Sequence, residues 1–272
     1  MTARMNRVRW YAPLMLVLLI PLSGCDLLTQ VFHGGSIEYF VPEVIAAYPH
    51  DTSAFTEGLV YDDGVLYEST GLYGHSELRE VNIETGEVMR SVTMPETDFG
   101  EGIGLVGDQL WQWTWQEANG YIYDRSTFEV VGNFTFEGEG WGMCYDGEYL
   151  YTTDGSNRIT QRNTVDFSPT GTVLYVYFRG QAVPQLNELE CVGDYLYSNI
   201  WFSNAILRID KSNGAISGVI NATDLLTEAQ RAQLDNGAVL NGIAYNPDRD
   251  TFYLTGKKWP FVFEVQLVNA AE

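Results

Sequence analysis

Five stretches of the chain repeat one pattern, and that repeat limits the possible folds more than any other feature. They are FTEGLVYDDGVLYESTG, FGEGIGLVGDQLWQWTW, EGWGMCYDGEYLYTTDG, LNELECVGDYLYSNIW and LNGIAYNPDRDTFYLTGK. Each carries an apolar anchor: Leu59, Ile103, Met143, Leu189 and Ile243 in turn. A second apolar residue follows seven positions later in the first four (Leu66, Leu110, Leu150, Leu196), and a longer turn moves it to Phe252 in the fifth. Between the two lies a Gly/Asp-rich turn. Short β-branched and aromatic runs around such a turn read as a β-hairpin.

Successive anchors are 44, 40, 46 and 54 residues apart, close to the period of propeller blades. The remaining space in a repeat holds two more strands. After the first hairpin come ELREVNI and EVMRSVTM around Glu84-Thr85-Gly86, and after the fourth come AILRID and AISGVI around the Lys211 to Gly214 turn. Four antiparallel strands make a blade. The last repeat supplies only FVFEVQLV, whereas YFVPEVIAAY (Tyr39 to Tyr48) is strand-like with no hairpin of its own. The expected fold is therefore all-β: a five-bladed β-propeller over residues 39–272, with that N-terminal strand closing the ring as the outer strand of the last blade. Pro42 fits there because one side of an edge strand needs no donor.

The first residues read as a targeting signal. Arg4, Arg7 and Arg9 precede an apolar core from Ala12 to Leu22, too short for a permanent span, and then Leu22-Ser23-Gly24-Cys25. This run resembles a bacterial lipoprotein lipobox, which implies a signal peptide over 1–24, lipid on Cys25 and a tether over 25–38. An ordinary secretory signal is the alternative. The expectation is an exported protein, lipid-anchored to the membrane of a bacterial cell envelope without spanning it.

With 45% hydrophobic and 14% aromatic residues, the rest can bury a sizeable single core. The formal net charge of −21 argues against nucleic acid and anionic membrane surfaces as partners. Cationic or neutral partners fit, a free peptide amino terminus among them. Cys144 and Cys191 are expected as two buried free thiols. There is no C-x-x-C, and His33, His50 and His75 are widely spaced, so no metal site is expected. Gly256-Lys257 lacks the rest of a phosphate loop, and no G-x-S-x-G is present.

The first strand of each blade lines the central channel, so equivalent positions converge at one end of it. Two residues before the anchors stand Glu57, Glu101, Trp141, Asn187 and Asn241; at the far end of the second strands stand Gly71, Trp115, Gly155, Trp201 and Lys257. These ten positions should share one mouth. Carboxylates there can be merely solvated, tryptophans can be inter-blade packing, and the asparagines can satisfy backbone groups. Lys257 is expected to turn toward the acidic mouth, pairing with Glu101 or polarising a carbonyl.

The runs YPHDTSAFTEGL, ESTGLYGHSELR, FGEGI, QWTW, EGWGM, TDGS, LNELE, NIW, LNGIAY and TGKKWP, in order from Tyr48 to Leu267, resemble the plant and bacterial type of glutaminyl-peptide cyclotransferase, a five-bladed propeller family. The resemblance implies conversion of N-terminal glutamine to pyroglutamate with loss of ammonia, no cofactor and no catalytic metal. Carried over motif by motif, it places the acid-base glutamate on Glu101 and the pocket aromatics on Phe55, Phe99, Trp115, Trp141 and Trp201. Its polar substrate contacts fall on Asn187 and Lys257. Glu57 departs from the family pattern, which has an amide there (FTQGL for FTEGL), so a second carboxylate enters the substrate site.

The reaction needs an amine to lose a proton and ammonia to gain one, a task one carboxylate can perform. Glu101 is assigned that shuttle, Asn187 or Lys257 the oxyanion contact, and the aromatic walls the folding of the substrate. The expected partners are peptides or proteins with N-terminal glutamine, met by a monomer. A calcium-dependent, lactonase-like propeller hydrolase is one competing reading, because Glu57, Glu101, Asn187 and Asn241 are all oxygen donors. A non-catalytic ligand-binding lipoprotein is the other.

Overall fold

The computed structural model describes residues 36–271. The signal segment 1–24, Cys25 and the tether as far as residue 35 lie outside the described residues. The chain enters on β1 (Glu38–Pro49) and then lays down four-stranded antiparallel sheets in sequence order. The first holds β2 (Thr56–Asp62), β3 (Val65–Thr70), β4 (Glu77–Asn82) and β5 (Val88–Thr93). The second holds β6 (Gly100–Val106), β7 (Gln109–Thr114), β8 (Asn119–Asp124) and β9 (Val130–Thr135). The third holds β10 (Met143–Tyr145), β11 (Leu150–Thr153), β12 (Arg158–Arg162) and β13 (Pro169–Tyr175).

A small hairpin of β14 (Tyr177–Phe178) and β15 (Gln181–Ala182) precedes the fourth blade. That blade holds β16 (Leu186–Val192), β17 (Tyr195–Ile200), β18 (Ala205–Asp210) and β19 (Ile216–Asn221). The long step to the fifth anchor is taken up by a 3-10 turn (Thr223–Leu225) and the short helix α1 (Glu228–Arg231), whose Thr227 and Gln230 form a reciprocal capping box. The last blade has β20 (Leu240–Asn246), β21 (Thr251–Gly256) and β22 (Phe261–Asn269).

β1 completes it. The strand runs antiparallel to β22 from Phe40 opposite Asn269 to Pro49 opposite Phe261, the closure expected from Tyr39 to Tyr48. It does more than expected, because Glu38 to Phe40 also pair in parallel with Gly218 to Ile220 of β19. The last two blades thereby merge into one eight-stranded sheet. Pro42 lies opposite Leu267, past the stretch paired with β19, so its missing N–H leaves no bond unmade on the outer side.

The five anchors are buried, as are all five second-strand partners. The hairpin register repeats as well: Tyr61 faces Leu66, Leu105 faces Leu110, Tyr145 faces Leu150, Cys191 faces Leu196 and Tyr245 faces Phe252. Among the described residues there are five apolar clusters, and each joins two neighbouring blades. Leu78 meets Ile103 across blades one and two, Met143 meets Trp111 across two and three, Leu189 meets Cys144 across three and four, Ile243 meets Ile220 across four and five, and Val81 meets Tyr253 across one and five. Burial of these faces can be complete only in a closed ring. Near the axis the first strands approach so closely that a Cβ on Gly142 would collide with the Asn187 carbonyl.

One expectation is corrected here. Cys144 and Cys191 are not free thiols; they form a disulfide with Cα atoms 5.5 Å apart. Both follow anchors on neighbouring first strands, which converge toward the axis, and the 47 residues separating them in sequence hide that proximity. The spacing is ordinary for such a bond.

Candidate active site

Four of the five first strands break register at one place. The shift falls between Thr56 and Gly58, Gly100 and Ile103, Leu186 and Leu189, and Leu240 and Ile243. Glu57, Glu101, Asn187 and Asn241 stand inside these four irregularities. A bulge re-aims a side chain that strict alternation would send elsewhere. A second feature repeats beside it: the N–H groups of Gly71, Trp115, Trp201 and Lys257 donate to the carbonyls of Phe55, Phe99, Gln185 and Val239 at 2.8 to 3.0 Å. In four blades the far end of the second strand is therefore tied by the same bond to the residue two positions before Glu57, Glu101, Asn187 or Asn241. The third blade differs, with Trp141 preceding β10 and donating its N–H to Thr153 at 3.2 Å.

The polar floor is almost sealed, with Glu57 1%, Glu101 5%, Asn187 1% and Lys257 4% exposed. The Lys257 ammonium donates to Glu57 Oε2 and lies 4.6 Å from the centre of the Phe55 ring. Lysine thus pairs with Glu57, not with Glu101, because the bulges put Glu57 and Asn241 on the lysine's side of the mouth; Asn241 Nδ2 donates to the Thr56 carbonyl at 2.9 Å and reaches Glu57 Oε2 at 3.5 Å.

Burial raises the pKa of both carboxyls. For Glu57, Lys257 opposes that rise. For Glu101 the neighbouring Glu57 charge adds to burial, Lys257 only partly offsets them, and the pKa stands well above the ordinary value. Glu101 Oε2 has no hydrogen-bond partner among the described residues when both groups are ionised. Two carboxylates offer no donor between them, whereas a protonated Glu101 donates to Glu57 and removes the deficit. The state that satisfies the geometry is a neutral Glu101 beside an ionised Glu57–Lys257 pair.

The aromatic wall consists of two runs of ring contacts. Phe55 meets Phe99 at 6.2 Å and Phe99 meets Trp115 at 5.8 Å, both edge-on, while Trp141 meets Trp201 edge-on at 5.5 Å. Gly71 is required, since a Cβ there would overlap the Phe99 ring. Among the described residues, Trp111, Trp113 and Trp259 belong to inter-blade clusters, leaving Trp115, Trp141 and Trp201 for the mouth. Contacts link Phe55, Glu57, Phe99, Glu101, Trp115 and Lys257 in one group and Trp141 with Trp201 in another, while Asn187 Oδ1 is buried with no hydrogen-bond partner among the described residues.

Two further wall residues were not singled out in the sequence. Tyr73 meets Phe99 at 5.4 Å and donates to Glu117 at 2.8 Å. Glu139 accepts from the indoles of Trp115 and Trp141. Its signal was in reach: four residues before the anchors stand Phe55, Phe99, Glu139, Gln185 and Val239.

The loop that carries Lys257 is held from below. His50, just beyond β1, places its two ring nitrogens 2.7 Å from the Trp259 carbonyl and 2.9 Å from Glu68, both acceptors. Burial opposes charge on His50, but Glu68 outweighs it and the pKa is raised. The imidazolium form donates both bonds. Among the described residues, no group of three or more His, Cys, Asp or Glu side chains is arranged to hold a metal ion.

Fold and site together define a β-propeller in which two buried carboxyls and a lysine lie beside aromatic rings. The family model described as glutamine cyclotransferase matches residues 16–267. A glutaminyl-peptide cyclotransferase of Arabidopsis thaliana is 37% identical over 235 residues, covering 84% of this chain and 72% of that relative. The solved glutaminyl cyclase of Myxococcus xanthus superposes with a TM-score of 0.81 at 36% identity, covering 87% of this chain and 100% of that one. The chain belongs to the glutamine cyclotransferase family.

Proposed function

We propose that the protein cyclises the N-terminal glutamine of peptides and proteins to pyroglutamate, releasing ammonia at the propeller mouth. The observation that carries this reading is the buried Glu101, its pKa raised by burial and by Glu57, beside the Glu57–Lys257 pair and the aromatic rings. The substrate's α-nitrogen attacks its own side-chain amide carbon; the new C–N bond closes the lactam ring and the bond to the amide nitrogen breaks. A free α-amine titrates at about 7.7 to 8.0. The reactive complex therefore carries one proton shared between Glu101 and the amine, whichever holds it on arrival. Glu101 passes that proton to the departing nitrogen while its other oxygen takes the one shed by the attacking nitrogen. Lys257 is engaged with Glu57, whereas Asn187 Oδ1 is buried without a partner among the described residues, an acceptor for an N–H donor of the substrate and not the oxyanion contact.

The test is ammonia release from a Gln-initiated peptide by the parent and by Glu101→Gln, which keeps size and hydrogen bonding but cannot shuttle protons. A fall of roughly 10²- to 10⁴-fold in kcat is expected. Near-parental turnover by the variant would remove Glu101 from the chemistry.

The same proposal extends to location: export under the 1–24 signal, lipid on Cys25, a tether over 25–38 and a monomeric catalytic domain from residue 39. Support comes from the Arg4/Arg7/Arg9 cluster, the apolar run before Cys25 and the Cys144–Cys191 bond, which suits an oxidising compartment.

A further inference from the structure

Glu139 occupies in the third blade the position that Phe55 and Phe99 hold in the first two. Where those blades present an aromatic face, this one presents a carboxylate. Its Oε2 accepts the indole N–H of Trp115 and that of Trp141, each at 3.0 Å, and its Oε1 accepts the side-chain N–H of Gln116 at 2.8 Å. An indole has one polar hydrogen, so this single atom takes the only such handle on either ring. Trp115 continues through Phe99 to Phe55, and Trp141 continues to Trp201. One carboxylate thus joins the two halves of the wall.

We propose that Glu139 is a positioning residue: it fixes the Trp115 and Trp141 indoles relative to each other, so that the slot between them holds glutamine in its ring-closing conformer, and it adds a fixed negative charge to the mouth. This rests on the cyclotransferase reading. Burial opposes ionisation of Glu139, as does Asp154, but the bonds from Gln116, Trp141 and Trp115 outweigh them and hold its pKa below the usual value. It is an anion at neutral pH. The charged groups acting on Glu101 are Glu57, Lys257 and Glu139, and the last of these pushes the Glu101 pKa upward.

Two variants separate the wall from the charge. Glu139→Leu removes both acceptors; bound glutamine then samples unproductive conformers, and kcat for a Gln-initiated peptide falls by about 10-fold or more with a smaller change in KM. Glu139→Gln keeps a carbonyl acceptor but no charge. It is expected to retain kcat/KM within about threefold at its own optimum and to move the acidic limb of the pH profile downward, since a charge that raises Glu101 is gone. Tryptophan emission of the leucine variant should shift as the indoles lose their partner. A carboxylate that only stabilises the fold would lower the melting temperature and leave the acidic limb in place. Parental kcat in Glu139→Leu, or an unmoved limb in Glu139→Gln, overturns the proposal while the parent's activity stands. A parent that releases no ammonia overturns the cyclotransferase reading itself.

Discussion

Replacing Glu57 by glutamine should change when the enzyme works more than whether it works. In the parent, ionised Glu57 sits within hydrogen-bonding contact of Glu101 and holds Lys257. Two like charges this close in a buried site repel, and the Glu57 charge adds to burial in holding the Glu101 pKa up. The variant loses that repulsion, and the buried ammonium is left to favour an ionised Glu101, which acts in the same direction. The sign follows from the proton count. The productive complex holds one proton between Glu101 and the amine, so activity is lost at low pH when both are protonated, and that acidic limb tracks the Glu101 pKa. Glu57→Gln is expected to lower the limb, because the charge that raises Glu101 is gone, while leaving the alkaline limb, set by the amine, where it was. Activity near neutral pH should stay within about tenfold, because the shuttle is intact and only its driving force changes. Profiles of kcat/KM against pH for the parent and both glutamine variants decide the matter. An unmoved or raised limb refutes the electrostatic account, and a collapse in Glu57→Gln with an active Glu101→Gln transfers the shuttle to Glu57.

Two other outcomes follow from the structure and the chain's first residues. Cys25→Ala should give an unprocessed or soluble product where the unaltered protein partitions into detergent; equal partitioning of the two would end the lipoprotein proposal. Removing the disulfide by Cys144→Ala with Cys191→Ala should destabilise the propeller by up to about 4 kcal/mol, the chain-entropy value for a loop of its length. Calorimetry measures the loss, and two thiols titrating in the unreduced, denatured parent would show that the bond does not form.

The ring and most of its mouth were legible because both are periodic. Five anchors at near-constant spacing define five hairpins, and counting back two residues from each lands on Glu57, Glu101, Trp141, Asn187 and Asn241. Counting works because the register break recurs in four blades at that place. What escaped has no period. The partner of Lys257 depends on which of two neighbouring carboxyls the bulged strands turn toward it, a matter of a few ångströms. Cys144 and Cys191 occupy offsets one and two after their anchors, so no common position flagged them as a pair. Glu139 did occupy a repeated position, but a glutamate aligned with two phenylalanines reads as an exception until both indoles are found bonded to it.

The closing strand also sets a timetable. β1 leaves the ribosome first, yet its antiparallel partners begin at Phe261, opposite Pro49, more than 200 residues later. At a synthesis rate of roughly 5 to 20 residues per second, the first strand waits about 10 to 40 seconds for the last one. Through that interval the outer strand of the fifth blade lacks the blade it completes, and the pairing that fastens the two ends is among the most remote in the molecule, the kind of contact that slows folding. Earlier blades can pack in sequence, but the ring stays open until translation is nearly over. A chain that locks only when its final strand arrives stays threadable for as long as it is being made, which would suit the export proposed above.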